Sequence, residues 1–324
     1  PTDRVNGLFL AGFDAGQTQT RCRLSRWHQN QWLPIAEGLG SGVIHLHASD
    51  GEERFEKALR SSFSKAVGNA GLRSEKALIS AAAVGASGIE HDTPLQEQAQ
   101  QLLARCLNIP SNQCLATGDE RTALHGAFPQ DAGIVLISGT GMICIGRNDQ
   151  GKEQRCGGWG WLLDEGGSAQ NLGQKGLQLS LRMADGRIPD RPLREKLWRA
   201  LNCSSAAAIK ALVVQPSFGA AGFAQLAPLV VAEAQVGDKD AIAILEQSAH
   251  CIAEAIAGVA QSLELSAPKI CGNGGAFEHL QPFRELIEQA IAKRLPTASW
   301  IKGQGDALDG ALQLALRQLK RNPD

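Results

Sequence analysis

The sequence contains no run of lysine and arginine, and its 324 residues carry a formal net charge of −1. The basic surface of a nucleic-acid-binding protein is therefore missing, and we predict no nucleic-acid partner. The longest apolar stretches, residues 77–89 and 133–145, are short and interrupted by glycine, serine or threonine, so neither can cross a bilayer. The first residues place acidic and turn residues before any apolar run, unlike a secretory signal peptide. We predict no membrane partner.

Metal and nucleophile motifs are also missing. The eight cysteines are scattered without a C-x-x-C pair, which argues against a zinc knuckle, an iron–sulfur cluster and a disulfide framework. The H-E-x-x-H and G-x-S-x-G motifs do not occur. His45 and His47 have no third partner that would predict a metal site. With this cysteine usage we expect a cytoplasmic protein.

Strand and helix patterns alternate along the chain, whose composition of 43% hydrophobic and 20% charged residues is typical of a globular protein. The length favours two domains. The first part predicts three strands and then a helix–strand–helix series. These elements are strands at residues 8–13, 21–27 and 32–37, a helix at 52–67, a strand at 77–84, a helix at 94–107, a strand at 113–116 and a helix from Asp119.

The same order restarts at Gly133, with a long helical stretch inserted after the third strand. We therefore predict an α/β fold of two lobes that face a cleft. The domain limits are residues 1–128 and 129–324, with the last helix packing back on the first lobe. The second series comprises strands within 133–147 and 154–156, helices within 169–265, a strand at 269–271, a helix at 278–293, a strand at 298–301 and a helix at 306–319.

In each of the two series, the first strand is followed by a glycine-containing turn. The first is Asp14-Ala15-Gly16-Gln17-Thr18 and the second is Ser138-Gly139-Thr140-Gly141. Backbone N–H groups freed by glycine, together with neighbouring hydroxyls, form anion-binding sites. Either turn alone is weak evidence, because most such turns only reverse the chain. The pair indicates a nucleotide-dependent phosphotransferase.

Several longer motifs carry a family resemblance: ISGTG at residues 137–141 with CGGWGW at 156–161, supported by GFDAGQTQT at 12–20 and ICGNGGA at 270–276. GASG at 85–88, GDERTALHGAF at 118–128 and GDALDGALQLA at 305–315 extend the match over nearly the whole chain. The chain resembles the N-acetylglucosamine kinase and glucosamine kinase group of the BadF/BadG/BcrA/BcrD-type ATPases, within the actin/hexokinase/Hsp70 superfamily. The resemblance implies two actin-like (ribonuclease H-like) lobes, ATP and Mg²⁺, and phosphorylation of an amino sugar at its 6-hydroxyl.

Roles in nucleotide binding follow from this resemblance. Asp14 would hold Mg²⁺, which suits a carboxylate combined with phosphate oxygens. The alternative is that Asp14 only caps its turn. The resemblance implies three further groups of nucleotide-binding residues. They are Gly16, Gln17 and Thr18 at the β- and γ-phosphates, Gly139, Thr140 and Gly141 on the other side of the phosphates, and Gly274 and Gly275 beside the adenosine.

Asp119 is the candidate general base. The family places its catalytic aspartate at a strand end that opens a helix, in the pattern D-x-x-x-A-x-x-G, which Asp119, Ala123 and Gly126 reproduce. Phosphoryl transfer depends mainly on alignment and on a carboxylate near the attacking hydroxyl. The alternative is a helix N-cap at Asp119 with Glu120 in the first turn.

The sugar-binding residues implied by the resemblance are Ser87, Gly158, Trp159 and Asp164. Trp159 could equally be a packing anchor, and either Asp164 or Glu165 could fill the acidic position. The chain also departs from the family. Residues 41–44 stand where relatives usually place a sugar-binding asparagine, and Met142-Ile143 follow the second turn where relatives often have a Ser-Asn or Ser-Cys pair.

Two other functions remain open at this point. BadF-type ATPases activate a partner enzyme, but that role requires paired cysteines in a glycine-flanked context that this chain does not offer. A sugar or nucleotide sensor without catalysis is the second alternative. The predicted partners are ATP and a small amino sugar, and a homodimer is compatible with the sequence.

Overall fold

The chain separates into two compact units in the computed structural model, which describes residues 8–72, 78–164 and 166–321. The first unit combines Pro1–Asp131 with Gly303–Asp324, and the second is Ala132–Lys302. Residues after 303 therefore pack with the first unit although they follow the second in sequence. Both units consist of a mixed sheet covered by helices, and the predicted α/β class is confirmed.

The first unit contains a five-stranded sheet in the order β3-β2-β1-β4-β5. The first three strands are antiparallel neighbours, while β4 and β5 run parallel to β1. Strands β1 and β4 are buried along most of their length, since Phe9, Leu10, Ala11, Phe13 and residues 81–84 are at most 4% exposed. The strands are β1 (Leu8–Ala15), β2 (Gln19–His28), β3 (Gln31–Ser41), β4 (Leu78–Ala86) and β5 (Cys114–Thr117).

In the part of the first unit that the structure describes, four helices and a short 3-10 turn (Ser111–Gln113) cover this sheet. Helix α1 packs on β2 and β3 through Phe55 and Leu59, which are at most 1% exposed. Full burial of such a side chain contributes about 1.5–3 kcal/mol. Thr93 caps α2 by accepting a 3.3 Å hydrogen bond from Gln96 N. The helices are α1 (Gly51–Asn69), α2 (Pro94–Leu107), α3 (Asp119–Ala127) and α12 (Ala307–Arg321).

The second unit repeats the first sheet, strand for strand. Its order is β10-β9-β6-β7-β8, with β6, β7 and β8 antiparallel and β9 and β10 parallel to β6. The predicted architectural repeat is thus confirmed: three antiparallel strands come first, and two parallel strands are added on the other side. The strands are β6 (Gly133–Ser138), β7 (Met142–Arg147), β8 (Glu153–Gly157), β9 (Lys269–Asn273) and β10 (Ser299–Trp300).

Among the described residues of the second unit there are eight helices, and six of them form the predicted insertion between β8 and β9. The single helix expected over residues 278–293 was wrong. Two helices replace it, because the chain leaves helical geometry at Leu280 and Pro282 opens the next helix. The helices are α4 (Ala169–Ala184), α5 (Pro192–Ala200), α6 (Ala206–Val213), α7 (Gly219–Ala224), α8 (Ala227–Gln235), α9 (Lys239–Ser262), α10 (Gly275–His279) and α11 (Gln281–Arg294).

Helix α9 is the one helix among the described residues that is long and apolar enough to cross a membrane, with a mean hydropathy of 1.3. Its buried side chains recur every three or four residues, at Ala241, Leu245, Ala249, Ile252 and Ile256. They join the hydrophobic core of the second unit. This one-sided burial is typical of a core helix.

Candidate active site

The predicted catalytic residues of the first unit lie at one edge of its sheet. Asp14 pairs in register with Gly85 of β4, and Gly85 pairs with Thr117 of β5. The three strands are parallel, so their carboxyl ends share this edge. Ser87 follows β4 and is exposed, and Asp119 follows β5 at the start of α3. Asp14 and Asp119, more than 100 positions apart in sequence, therefore lie at the same edge of the sheet, at the ends of β1 and β5 on either side of β4.

The two glycine turns predicted to contact phosphate, residues 14–18 and 138–141, are called here the first and second phosphate turns. The first is held by the residues that follow β3. Within the turn, Gly16 N donates to Gln19 O at 3.0 Å, while Gln17 and Thr18 remain exposed. Val43 N donates to Gly16 O at 3.0 Å. A Cβ added to Gly42 would overlap the carbonyl oxygen of Gln17. The missing side chain of Gly42 thus allows the two backbones to touch, and it leaves the exposed groups of Gln17 and Thr18 available for a ligand.

Asp14 belongs to a chain of ion pairs. Arg21 Nη2 lies 2.9 Å from Asp14 Oδ2, and Arg21 Nη1 lies 3.3 Å from Asp306 Oδ2. Arg23 then joins Asp306 at 2.9 Å and Asp309 at 2.6 Å. Arg21 of β2 therefore balances the negative charge of Asp14, and its second ion pair links the end of β1 to Asp306, which directly precedes α12.

Asp119 is the first residue of α3, and Gly118 occupies the N-cap position. The alternative interpretation of Asp119 as the N-cap is therefore wrong, although its Oδ1 accepts a 3.1 Å hydrogen bond from Glu120 N. Burial raises the pKa of Asp119, and the negative charge of Asp14 raises it further, against the lowering effect of the hydrogen bonds. The two carboxylates are thus close enough to interact electrostatically.

The donor set at this edge fits Mg²⁺ better than a metal that requires a full protein cage. Among the described residues, no group of three or more histidine, cysteine, aspartate or glutamate side chains could hold a metal ion. Mg²⁺ is usually held by one or two carboxylates together with substrate phosphates and water. Asp14 offers one such carboxylate at this edge, and the exposed Thr18 lies in the adjoining turn.

The second phosphate turn lies between β6 and β7 and contacts the start of α4. Ala169 N donates to Gly139 O at 2.8 Å, and Gln170 N donates to Thr140 O at 3.3 Å. Gly139 N donates to Gly141 O at 2.9 Å and closes the turn. Thr140 and Gly141 are exposed. The fixed backbone thus presents the hydroxyl of Thr140 at the turn's exposed end.

The predicted adenosine glycines lie directly beside this second turn. Ile137 of β6 pairs in register with Asn273 of β9, and the glycines follow Asn273. Gly274 has φ 96°, and a Cβ added there would lie 2.5 Å from Ser138 O. A Cβ added to Gly139 would lie 3.7 Å from Gly275 N. The structure therefore brings residues 138–141 and 274–275 together within the second unit.

The predicted sugar loop begins at the end of β8. Gly158 has φ 74°, and a Cβ there would lie 2.7 Å from Cδ1 of Ile143. The next residue, Trp159, is 58% exposed, and the guanidinium carbon of Arg155 lies 4.6 Å from the centre of its ring. The indole is therefore held on a surface by a cation–π contact rather than enclosed in the core.

The acidic end of this loop is exposed. Asp164 N donates to Gly160 O at 3.0 Å, and the Asp164 side chain faces solvent. Glu165, the alternative acidic residue, lies outside the described residues. Leu162 and Leu163 are 77% and 83% exposed, so the loop presents apolar as well as acidic groups.

Three residues around the first turn were missed by sequence reasoning. Arg21 and Asp306 form the ion pairs next to Asp14, and Gly42 supports the turn. Arg21 had a usable signal, because a short antiparallel hairpin of the first two strands places Arg21 opposite Asp14. Asp306 had no such signal, because 285 residues separate it from Arg21.

Two curated relatives and a solved structure match this chain over almost its full length. The N-acetylmuramic acid/N-acetylglucosamine kinase of Clostridium acetobutylicum is 23% identical over 309 residues, covering 95% of this chain and 98% of that protein. The glucosamine kinase of Vibrio cholerae is 27% identical over 316 residues, covering 95% of each. A crystal structure from Chromobacterium violaceum, provisionally named N-acetylglucosamine kinase, has a TM-score of 0.74 and 28% identity, covering 95% of this chain and 98% of that one.

A family model gives the assignment, since it extends over both units and includes both phosphate turns, Asp119 and the sugar loop. It matches residues 11–315, and the chain belongs to the BadF/BadG/BcrA/BcrD ATPase family.

Proposed function

We propose that the protein is an ATP-dependent amino-sugar kinase that transfers the γ-phosphoryl group to the 6-hydroxyl of N-acetylglucosamine or glucosamine. The observation that carries this proposal is the placement of Asp14 and Asp119 at the carboxyl edge of one group of parallel strands, where the charge of Asp14 raises the pKa of Asp119. One carboxylate is suited to a metal–phosphate complex and the other to the attacking hydroxyl. The names of the full-length relatives support an amino sugar as the acceptor.

Asp119 is the proposed general base. Its carboxylate accepts the proton of the sugar hydroxyl as the oxygen attacks the γ-phosphorus, and the bond to the ADP oxygen breaks. The raised pKa of Asp119 makes it a better proton acceptor than an ordinary carboxylate. Its position as the first residue of α3 fixes the backbone from which the carboxylate projects.

The two glycine turns are the proposed phosphate contacts. Gln17 and Thr18 are exposed in the first turn, and Thr140 and Gly141 are exposed in the second. Gly274 and Gly275 adjoin the second turn, which suits a nucleoside attached to the same phosphates. Mg²⁺ held by Asp14 would neutralise charge on the β- and γ-phosphates.

Ser87 and the residues 158–164 are the proposed sugar contacts. Ser87 is exposed at the same sheet edge as Asp119. Trp159 offers an exposed indole face, and Asp164 offers a carboxylate that can accept hydrogen bonds from sugar hydroxyls. These groups suit a polar ring with several hydroxyls.

ADP release measured with N-acetylglucosamine, glucosamine, N-acetylmannosamine and glucose tests the proposal. We expect turnover that depends on an amino sugar and a product phosphorylated at the 6-position by phosphorus NMR. Asp119→Asn should lower turnover about 10²–10⁴-fold, the range for loss of a general base. Asp50→Asn is the matched control, because Asp50 is exposed and its side chain forms no capping hydrogen bond.

The same measurement distinguishes the alternative functions. ATP hydrolysis that no sugar stimulates would point to an ATPase that activates a partner enzyme. Sugar binding without turnover would point to a sensor. Either result, or near wild-type turnover of Asp119→Asn, would contradict the proposed kinase mechanism.

A further inference from the structure

His45 lies at the sheet edge that carries Asp14, Ser87 and Asp119, although sequence reasoning gave it no role. The segment after β3 is anchored to the first phosphate turn by the hydrogen bond from Val43 N to Gly16 O. Two residues later, the exposed imidazole of His45 packs over Gly88: a Cβ added to Gly88 would lie 3.2 Å from Cδ2 and 3.4 Å from Nε2. The ring therefore adjoins the loop that carries Ser87.

The orientation of the imidazole is fixed by its own loop. His47 N donates to His45 Nδ1 at 3.3 Å, and the His47 ring lies edge-on with its centre 5.7 Å away. Because Nδ1 accepts a hydrogen bond, the proton of the neutral ring is on Nε2. Nε2–H is therefore a donor on the side of the ring that packs over the Ser87–Gly88 loop.

We propose that His45 is a substrate-contacting residue whose Nε2–H donates a hydrogen bond to an oxygen of the bound sugar. The inference rests on the proposed kinase function, because a sugar hydroxyl must reach Asp119 at this same edge. The accepting atom is a ring hydroxyl oxygen or the carbonyl oxygen of an N-acetyl group, both of which accept from an imidazole N–H.

Steady-state kinetics of three variants test this contact. His45→Ala removes the donor, and His45→Gln restores an N–H donor on an uncharged side chain. His47→Ala is the matched control: it removes a neighbouring exposed imidazole but keeps the backbone N–H that orients His45. Each variant is assayed with N-acetylglucosamine, glucosamine and ATP as the varied substrates, and its melting temperature verifies folding.

We expect His45→Ala to raise the KM for the sugar about tenfold, the effect of losing one hydrogen bond to a bound ligand. The KM for ATP should stay within about twofold of wild type, and His45→Gln should recover part of the loss. His47→Ala removes the edge-on ring contact but keeps the hydrogen bond to Nδ1, so it should raise the KM for the sugar clearly less than His45→Ala does. A loss confined to N-acetylglucosamine identifies the acetyl carbonyl as acceptor, and an equal loss with both sugars identifies a hydroxyl.

An unchanged KM for both sugars in His45→Ala overturns the inference, as does an equal loss in His45→Ala and His47→Ala. The proposed function is judged separately, by sugar-dependent turnover of the wild-type protein. A wild-type protein that turns over these sugars while His45→Ala behaves identically disproves the contact and leaves the kinase function standing.

Discussion

Arg21 holds Asp14 at the end of β1, with its Nη2 2.9 Å from Asp14 Oδ2. The same guanidinium reaches Asp306, and the pKa of Arg21 is raised because the hydrogen bonds and charges of both aspartates outweigh its partial burial. Asp14 is therefore paired with a cation at the position where we propose a metal-held phosphate. Any metal that uses this carboxylate has to compete with Arg21 or share it.

Replacement of Arg21 tests this competition. Arg21→Met removes the cation that shares Asp14, so we expect the Mg²⁺ concentration for half-maximal turnover to fall by up to about fivefold, which corresponds to a partly exposed ion pair of at most about 1 kcal/mol. Arg21→Lys keeps the charge and is the control. Titration of turnover with Mg²⁺ at saturating ATP measures the effect. Equal Mg²⁺ requirements in the two variants and the wild type would show that Asp14 does not hold the metal.

Asp119 should make the folded protein less stable at neutral pH. Its pKa is raised above the ordinary value of 3.8, so over the interval between that value and the folded pKa the native state retains a proton that the unfolded state has lost. Stability therefore falls as pH rises through this interval and stays lower above it.

We expect Asp119→Asn to melt at a higher temperature than wild type near neutral pH. The difference should disappear in acid, where Asp119 of the wild-type protein is protonated in both the folded and the unfolded state. Thermal unfolding of both proteins across this pH range measures the effect, with Asp50→Asn as the exposed control. A variant that loses turnover and also loses stability at neutral pH would contradict a raised pKa at Asp119.

Local signals explain why most of the fold could be predicted from the sequence. Helix α2 occupies the predicted residues 94–107, because proline opens it and Asn108 ends it in a left-handed conformation. Two helix breaks were missed for the same reason, because the helical spacing of apolar residues continues across a proline. Pro282 separates α10 from α11, and Pro228 likewise lies in the first turn of α8, where no break was predicted.

The candidate site could be predicted only in part, because its residues are related by pairing across the sheet. Asp14 and Asp119 carry local signals, since Asp14 lies at the end of a strand before a glycine turn and Asp119 opens a helix after a strand. The Arg21–Asp306 pair joins residues 285 positions apart and depends on how α12 returns to the first sheet. Gly42 was interpreted only as a departure from the family. Its contact with the turn requires the register between β2 and β3, which composition does not determine.

Gly42 offers a test of how the first phosphate turn is supported. A Cβ at this position would overlap the carbonyl oxygen of Gln17, so Gly42→Ala must displace the turn. We expect a loss of about 1–3 kcal/mol in the free energy of unfolding and a higher KM for ATP, with a smaller effect on the KM for the sugar.

Gly68→Ala is the matched control for Gly42→Ala. Gly68 lies in α1 with nothing within 4 Å of an added Cβ, and alanine should stabilise the helix by about 0.5–1 kcal/mol. Chemical unfolding and ATP kinetics measure both variants. An unchanged KM for ATP in a destabilised Gly42→Ala would separate the support of the turn from nucleotide binding.

Gly274 tests the nucleotide side of the second unit, because its backbone has φ 96° and an added Cβ would lie 2.5 Å from Ser138 O. Gly274→Ala combines backbone strain with a push against the strand end that precedes Gly139. Gly151→Ala, in the β7–β8 hairpin, shares the strain at φ 82° but meets nothing within 4 Å. We expect the strain to cost about 1–2 kcal/mol in Gly151→Ala and about 1–3 kcal/mol in Gly274→Ala, whose φ of 96° and ψ of 150° are nearly restricted to glycine. Only Gly274→Ala should weaken ADP binding, measured by calorimetry. Equal ADP affinities in the two folded variants would mean that residues 274–275 do not adjoin the nucleotide.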